Sequence, residues 1–300
     1  MAEFPQSGRP KLEYRDCAGV NPVDRKLYAI AFDAASNGAQ NDVTSLTVAH
    51  TCTGSNLILF VGVDIGSSND WITGITYNTV AMTRVNTQVT GATGNRRGYL
   101  YYLLAPATGA NNIVISSSNT VTIRAANASY TDAKQSGVPD ASGTTSTGST
   151  NTITSTLTSI ADNCWHISFA NDDQGTLAAG TGTTQRAITS TNAAIGDNNA
   201  AITPAGSNSM TWTDTGANAG MAVCGATFAP VPPATTTSTS TSTTSTSSST
   251  STTSTSSSTS TTTTTSTSSS TSTSTTSTSS STSTSTTTST STSTSTSTTS

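Results

Sequence analysis

The chain has 300 residues, but Thr235 to Ser300 are serine and threonine throughout, so every core-forming side chain lies in the first 234. Its 32% apolar content rises to roughly 41% over that head, enough for one large domain or two small ones. Only 26 residues are charged, the net charge is −4 and the pI is near 4.9, which argues against binding nucleic acid by charge, and no apolar run reaches the length of a membrane span.

Residues 1–26 carry nine charges, among them Glu3, Arg9, Lys11 and Asp16, and leave no room for the apolar core of a secretory signal. They read as an exposed arm. Export without a cleaved signal, a start that is not the natural one, or release by lysis would each account for that.

From 27 to 229 the pattern is strand after strand. Tyr28 to Phe32 opens it, and Leu46, Val48 and His50 then alternate with Ser45, Thr47 and Ala49, the period of two of a half-buried strand. Leu57 to Val63 is continuously apolar, as a central strand covered on both faces should be. Ile75 to Tyr77 and Val80 to Arg84 flank a turn at Asn78-Thr79. Tyr99 to Leu104, Asn112 to Ile115 and Val121 to Ala126 complete a first block, and Ser136 to Asn151 reads as a long surface loop. A second block holds Ile153 to Leu157, Cys164 to Ala170, Thr176 to Ala179, Arg186 to Thr189, Met210 to Thr213 and Met221 to Phe228. In it Trp165, Ile167 and Phe169 share one face, assigned to the core.

Gly, Asn, Asp and Thr fill the turns, and no stretch has the 3.6-residue period of a helix. The fold class expected is all-β: an antiparallel, jelly-roll-like β-sandwich of about 12 strands. A stiff Pro-rich joint at 230–234 closes it, and 235–300 has nothing to bury. That tract is expected to be disordered, as a stalk or linker whose hydroxyls are acceptors for O-linked sugars.

Thr47-Val48-Ala49-His50-Thr51 is followed by Gly54 to Val63, by Ile75 to Val85, by Asn95-Arg96-Arg97 and by Tyr102 to Pro106; Gly180 to Arg186 comes later. In that order these blocks resemble a β-sandwich module recurrent in predicted surface proteins and phage tail-type structural proteins of environmental bacteria. The resemblance covers roughly 28–231. It implies a jelly-roll or lectin-like sandwich and no particular activity. The module usually shows Tyr-Gly-Gly where this chain has Tyr77-Asn78-Thr79, and Thr resists the left-handed backbone such a turn uses.

Few residues invite chemistry. His50 shares the face of Leu46 and Val48 and is expected inside, with one ring nitrogen hydrogen-bonded. His166 alternates with Cys164 onto one face, yet side chains two apart on a strand lie roughly 7 Å from each other, too far for a Cys–His pair. No nucleophile elbow, zinc-binding H-E-x-x-H or P-loop occurs. Asp64, Asn69 and Asp70, and separately Asn171-Asp172-Asp173-Gln174, are oxygen-rich runs in expected loops. Turn chemistry explains them, with a structural Ca²⁺ as the alternative.

Trp71 is the aromatic best placed to meet a ligand, and with Asp64 and Asp70 it forms the candidate ligand-binding group, glycans being the ligand that a flat apolar ring with a polar edge suits. Arg96 and Arg97 read as a solvated hairpin tip. Asn127-Ala128-Ser129 is a sequon. Four cysteines, Cys17, Cys52, Cys164 and Cys224, show no metal-ligand spacing. Reduced thiols are the default, and a Cys164–Cys224 disulfide is the one pairing that the apolar strands suggest.

The function expected is a non-enzymatic extracellular or cell-surface module on a Ser/Thr stalk, structural or adhesive, with no cofactor. A phage virion or tail-appendage protein and a carbohydrate-binding domain are the alternatives. Partners would be glycans, further copies of the chain, or other surface or virion proteins.

Overall fold

A computed structural model describes residues 29–90, 95–148, 150–173, 175–215 and 220–232. The expected arm at 1–26, Cys17 and the Ser/Thr tract at 235–300 lie outside them. The described residues form fifteen strands and no helix, all paired antiparallel. The all-β antiparallel expectation holds. The strands outnumber the expected twelve and divide among three sheets.

The first sheet holds β1 (Ala31–Cys52), β2 (Ile58–Ile65), β3 (Ile72–Tyr77), β4 (Val80–Ala81), β5 (Thr83–Val89), β6 (Arg97–Leu104) and β7 (Gly109–Thr131). β8 (Ala141–Thr147) belongs to the second sheet and β9 (Thr152–Thr158) to the third. Next come β10 (Trp165–Asp172), β11 (Leu177–Ala179), β12 (Thr184–Thr189), β13 (Ala193–Asp197), β14 (Ser207–Asp214) and β15 (Met221–Phe228). The second sheet runs β12-β13-β10-β15-β8 and the third β11-β14-β9.

A ribbon of β1 and β7 organises the first sheet. The two strands pair from Ala31↔Thr131 to Cys52↔Gly109, with register shifts between Gln40 and Ser45. Such irregularities bend a ribbon, and here both halves of the ribbon face one apolar core, the second half through β7 alone. Leu46, Val48, Ile113 and Ile115 from one half meet Val121, Ile123 and Ala125 from the other. Leu59, Val61, Val63 and Ile65 of β2 enter the same core.

The opposite face of β2 carries Ile58 and Phe60 into a second core, against Trp165, Ile167 and Phe169 of β10 and Cys224, Ala226 and Phe228 of β15. Gly62 lets these sheets touch: a Cβ there would lie 2.0 Å from the Phe169 ring. Beyond the second sheet, Ala170, Ala194, Met221 and Val223 meet Ile153, Leu177 and Trp212 in a third core. Leu57 to Val63 is thus covered on both faces, as its unbroken apolar run requires.

Several local expectations change. Ser136 to Asn151 is not all loop. Its centre is β8, an edge strand held to β15 by backbone pairing and therefore free to carry Ser, Gly and Thr. The polar middle of β1, which shows no apolar pattern, is continuous strand because β7 supplies its ladder. Pro230 bridges Ala133 and the Val231 amide donates to the Asp132 carbonyl at 2.9 Å, so the chain stays attached two residues past 229.

Cys52, Cys164 and Cys224 are free thiols, all buried. The Cys164–Cys224 pairing offered as the alternative to reduced thiols does not form. Trp165 pairs with Phe228 and Phe169 with Cys224, so Cys164 lies five residues along the ladder from the position opposite Cys224. That is roughly 17 Å, far beyond disulfide reach.

Candidate functional site

The polar residues singled out from the sequence fall into separate places. Asp64 is a strand residue on the face of β2 that meets the second sheet, fully enclosed. Its carboxylate takes Arg96 at 3.3 Å, Arg124 at 3.2 Å and the Asn171 amide at 3.0 Å. Burial pushes its carboxyl up, and the two arginines oppose that shift. Arg96 is therefore no solvated tip: it is buried and also donates to the Asp172 carbonyl at 2.7 Å. Asp70 pairs with Arg84 at 2.8 Å on the surface, and Trp71 packs partly buried on the first core. Of the candidate group, Asp70 and Trp71 stay neighbours and Asp64 is parted from them. Asp64 faces the second sheet while Trp71 rests on the first core.

The oxygen-rich run in the second block is dispersed too. Alternation along β10 sends Asn171 to Asp64, Asp172 to the Asn192 amide at 2.8 Å, and Asp173 to the Thr90 hydroxyl at 2.8 Å. Burial, together with Asp214 and Asp64, pushes the Asp172 carboxyl up to about 7, against Asn192 and Arg96. Among the described residues no three His, Cys, Asp or Glu side chains gather as a metal site would need.

Both histidines are spent on bracing. His50 bridges the bend of the β1–β7 ribbon. Ser129 donates to Asp33 at 2.7 Å, so the imidazole Nε2–H donates to Ser129 at 3.1 Å and Nδ1 accepts from Ser36 at 2.9 Å. Ser36 in turn accepts from the Asn127 amide at 3.1 Å. Sequence reading expected one bonded nitrogen, and both are bonded. The chain polarises Ser36, but a nucleophilic serine also needs N–H donors for an oxyanion. The neighbouring pairs Ala35↔Ala128 and Asn37↔Ala126 keep this stretch of backbone within the ladder.

His166 lies between the second and third sheets. Nδ1 donates to the Asn208 side-chain oxygen at 3.0 Å and Nε2 accepts from Ser155 at 3.0 Å. Burial pushes both imidazoles down to about 4, so each is neutral near pH 7. The Asn127 sequon is enclosed near the C-terminal end of β7, out of reach of a glycosylating enzyme once folded.

An open cleft of about 350 Å³ lies on the outer face of β3 and β7, lined by Thr76, Asn78, Thr79, Ala110, Asn112 and Val114, with Asn111 beside them. Thr76 pairs with Val114, and the backbone N–H of Asn78 donates to the backbone carbonyl of Asn112 at 3.1 Å, which sets the two asparagines opposite each other. Asn78 and Thr79 are the two central residues of the turn, at φ 47° and 68°, so threonine does take the left-handed form. On the opposite face of β3, Tyr77 anchors the strand in the first core: its hydroxyl donates toward the carbonyls of Ala107 at 3.2 Å and Gly109 at 3.3 Å. Sequence reading passed over this cleft, because its walls come from segments more than thirty residues apart. The one available signal was the non-glycine turn.

Comparison with protein-family models, with curated proteins and with solved structures found no match to this chain.

Proposed function

We propose that the chain is a non-enzymatic extracellular or cell-surface module whose β-sheet body is carried on the Ser/Thr tract, with a structural or adhesive role. The observation that carries this reading is the use made of its buried polar groups. His50, His166, Asp64 and Asp197 each tie two sheets or two halves of a sheet together. A body braced in this way suits mechanical presentation better than turnover. The resemblance of residues 28–231 to modules of surface and tail-type proteins points the same way.

The intact mass and location of the protein isolated from its source test it. A cell-surface protein heavier than 30.2 kDa, with the excess on residues 235–300, supports a glycosylated stalk. Copurification with virus particles at the bare mass moves the assignment to a virion or tail appendage. A cytosolic protein at the bare mass, in no assembly, overturns both.

A further inference from the structure

We infer that the cleft between the β3–β4 turn and β7 is a binding subsite for a neutral pyranose sugar. Its chemistry selects the ligand class. The lining holds amides from Asn78 and Asn112, each offering two donors and an acceptor, and hydroxyls from Thr76 and Thr79. No charged side chain lines it, so neither phosphate nor carboxylate has a counter-ion there. Val114 and Ala110 supply a small apolar patch, which suits the C–H face of a sugar ring. At about 350 Å³ the cleft lies near the lower end of small-molecule sites, room for one or two rings.

The turn fixes where two of these polar groups stand. Asn78 and Thr79 both hold φ values that glycine adopts without strain, and Thr79 is β-branched. Two glycines would make the same turn at lower cost but would remove two of the cleft's polar groups. No aromatic ring lines the cleft, so binding should be weak, in the millimolar range, and adhesion would come from many copies.

Saturation-transfer NMR on the full chain tests this, with the methyl glycosides of glucose, galactose, mannose and N-acetylglucosamine as probes. At least one should receive saturation from the wild type. Asn112→Ala and the double variant Asn78→Gly/Thr79→Gly should each reduce that transfer at least fivefold. The double variant keeps the turn and relieves its strain, so loss of transfer there cannot come from unfolding, and circular dichroism should match the wild type. No transfer with any of the four glycosides, or transfer unchanged in both variants, overturns the assignment. Neither result touches the surface-module reading, which rests on mass and location.

Discussion

Thr79 shows what a single φ value costs. A left-handed conformation costs an L-residue about 1–2 kcal/mol, while glycine loses roughly 0.5–1 kcal/mol more chain entropy on folding. Thr79→Gly should therefore stabilise the protein by up to about 1 kcal/mol in urea unfolding, and a loss of stability would show that the Thr79 side chain contributes packing beyond its backbone strain. The histidines make a second case. Each has a folded pKa of about 4 against roughly 6.5 unfolded, so the unfolded chain binds the extra proton between those values. Their contribution to stability is complete above about pH 6.5 and is lost as the pH falls toward 4. The imidazole NMR signals of His50 and His166 should accordingly remain those of the neutral ring at pH values where a free histidine is mostly protonated. A midpoint near 6.5 for either would mean that its enclosure opens in solution. That His50 faces inward was legible from its alternation with Leu46 and Val48. Its partners were not, because Ser36 and Ser129 reach it only through the bend of the ribbon.

At the scale of the element, strands announced themselves where burial was uneven or complete. β2 and β10 read directly from LILFVGV and from Trp165, Ile167 and Phe169, because apolar side chains had to fill both cores. β8 was hidden because an edge strand is held by its backbone, which leaves no apolar pattern. β13 escaped because Ala-Ala-Ile-Gly-Asp is too short to show a period. Yet β13 carries a buried clamp. Asp197 receives Arg186 through two bonds at 2.6 and 3.0 Å and the Tyr130 hydroxyl at 2.7 Å, joining β12 and β13 to β7 of the first sheet. Arg186 also stacks on Phe32, 4.3 Å from its ring centre. Removing the carboxylate leaves the guanidinium, itself mostly buried, without its counter-ion. Asp197→Ala should cost about 3–5 kcal/mol. Asp197→Asn keeps an acceptor for Tyr130 and should cost less. Equal, small losses in both would reduce the clamp to an ordinary surface pair.

Across the whole molecule, sheets are shared between cores, and this has a thermodynamic consequence. The first sheet closes the first core and walls the second, while the second sheet walls the second core and the third. The sequence shows one long succession of strands, and nothing in it marks where one sheet ends; that division depends on pairings between distant segments, such as β15 with β8 and β14 with β9. The chain supplies a reporter for each layer. Trp71 packs on the first core, Trp165 lies in the second, and Trp212 lies in the third, its indole N–H donating to Ser168 at 2.9 Å. If shared sheets couple the cores, three variants that each retain one tryptophan, with phenylalanine at the other two positions, should lose their native fluorescence at the same fraction of their own circular-dichroism transition. The third sheet is the place where coupling would fail first, since it has three strands and covers only one side of its core. Were the Trp212 signal to melt ahead of the backbone signal in its own variant, the outer sheet would be a separate unit of stability, and the body would behave as two sheets with a detachable third rather than as one cooperative stack.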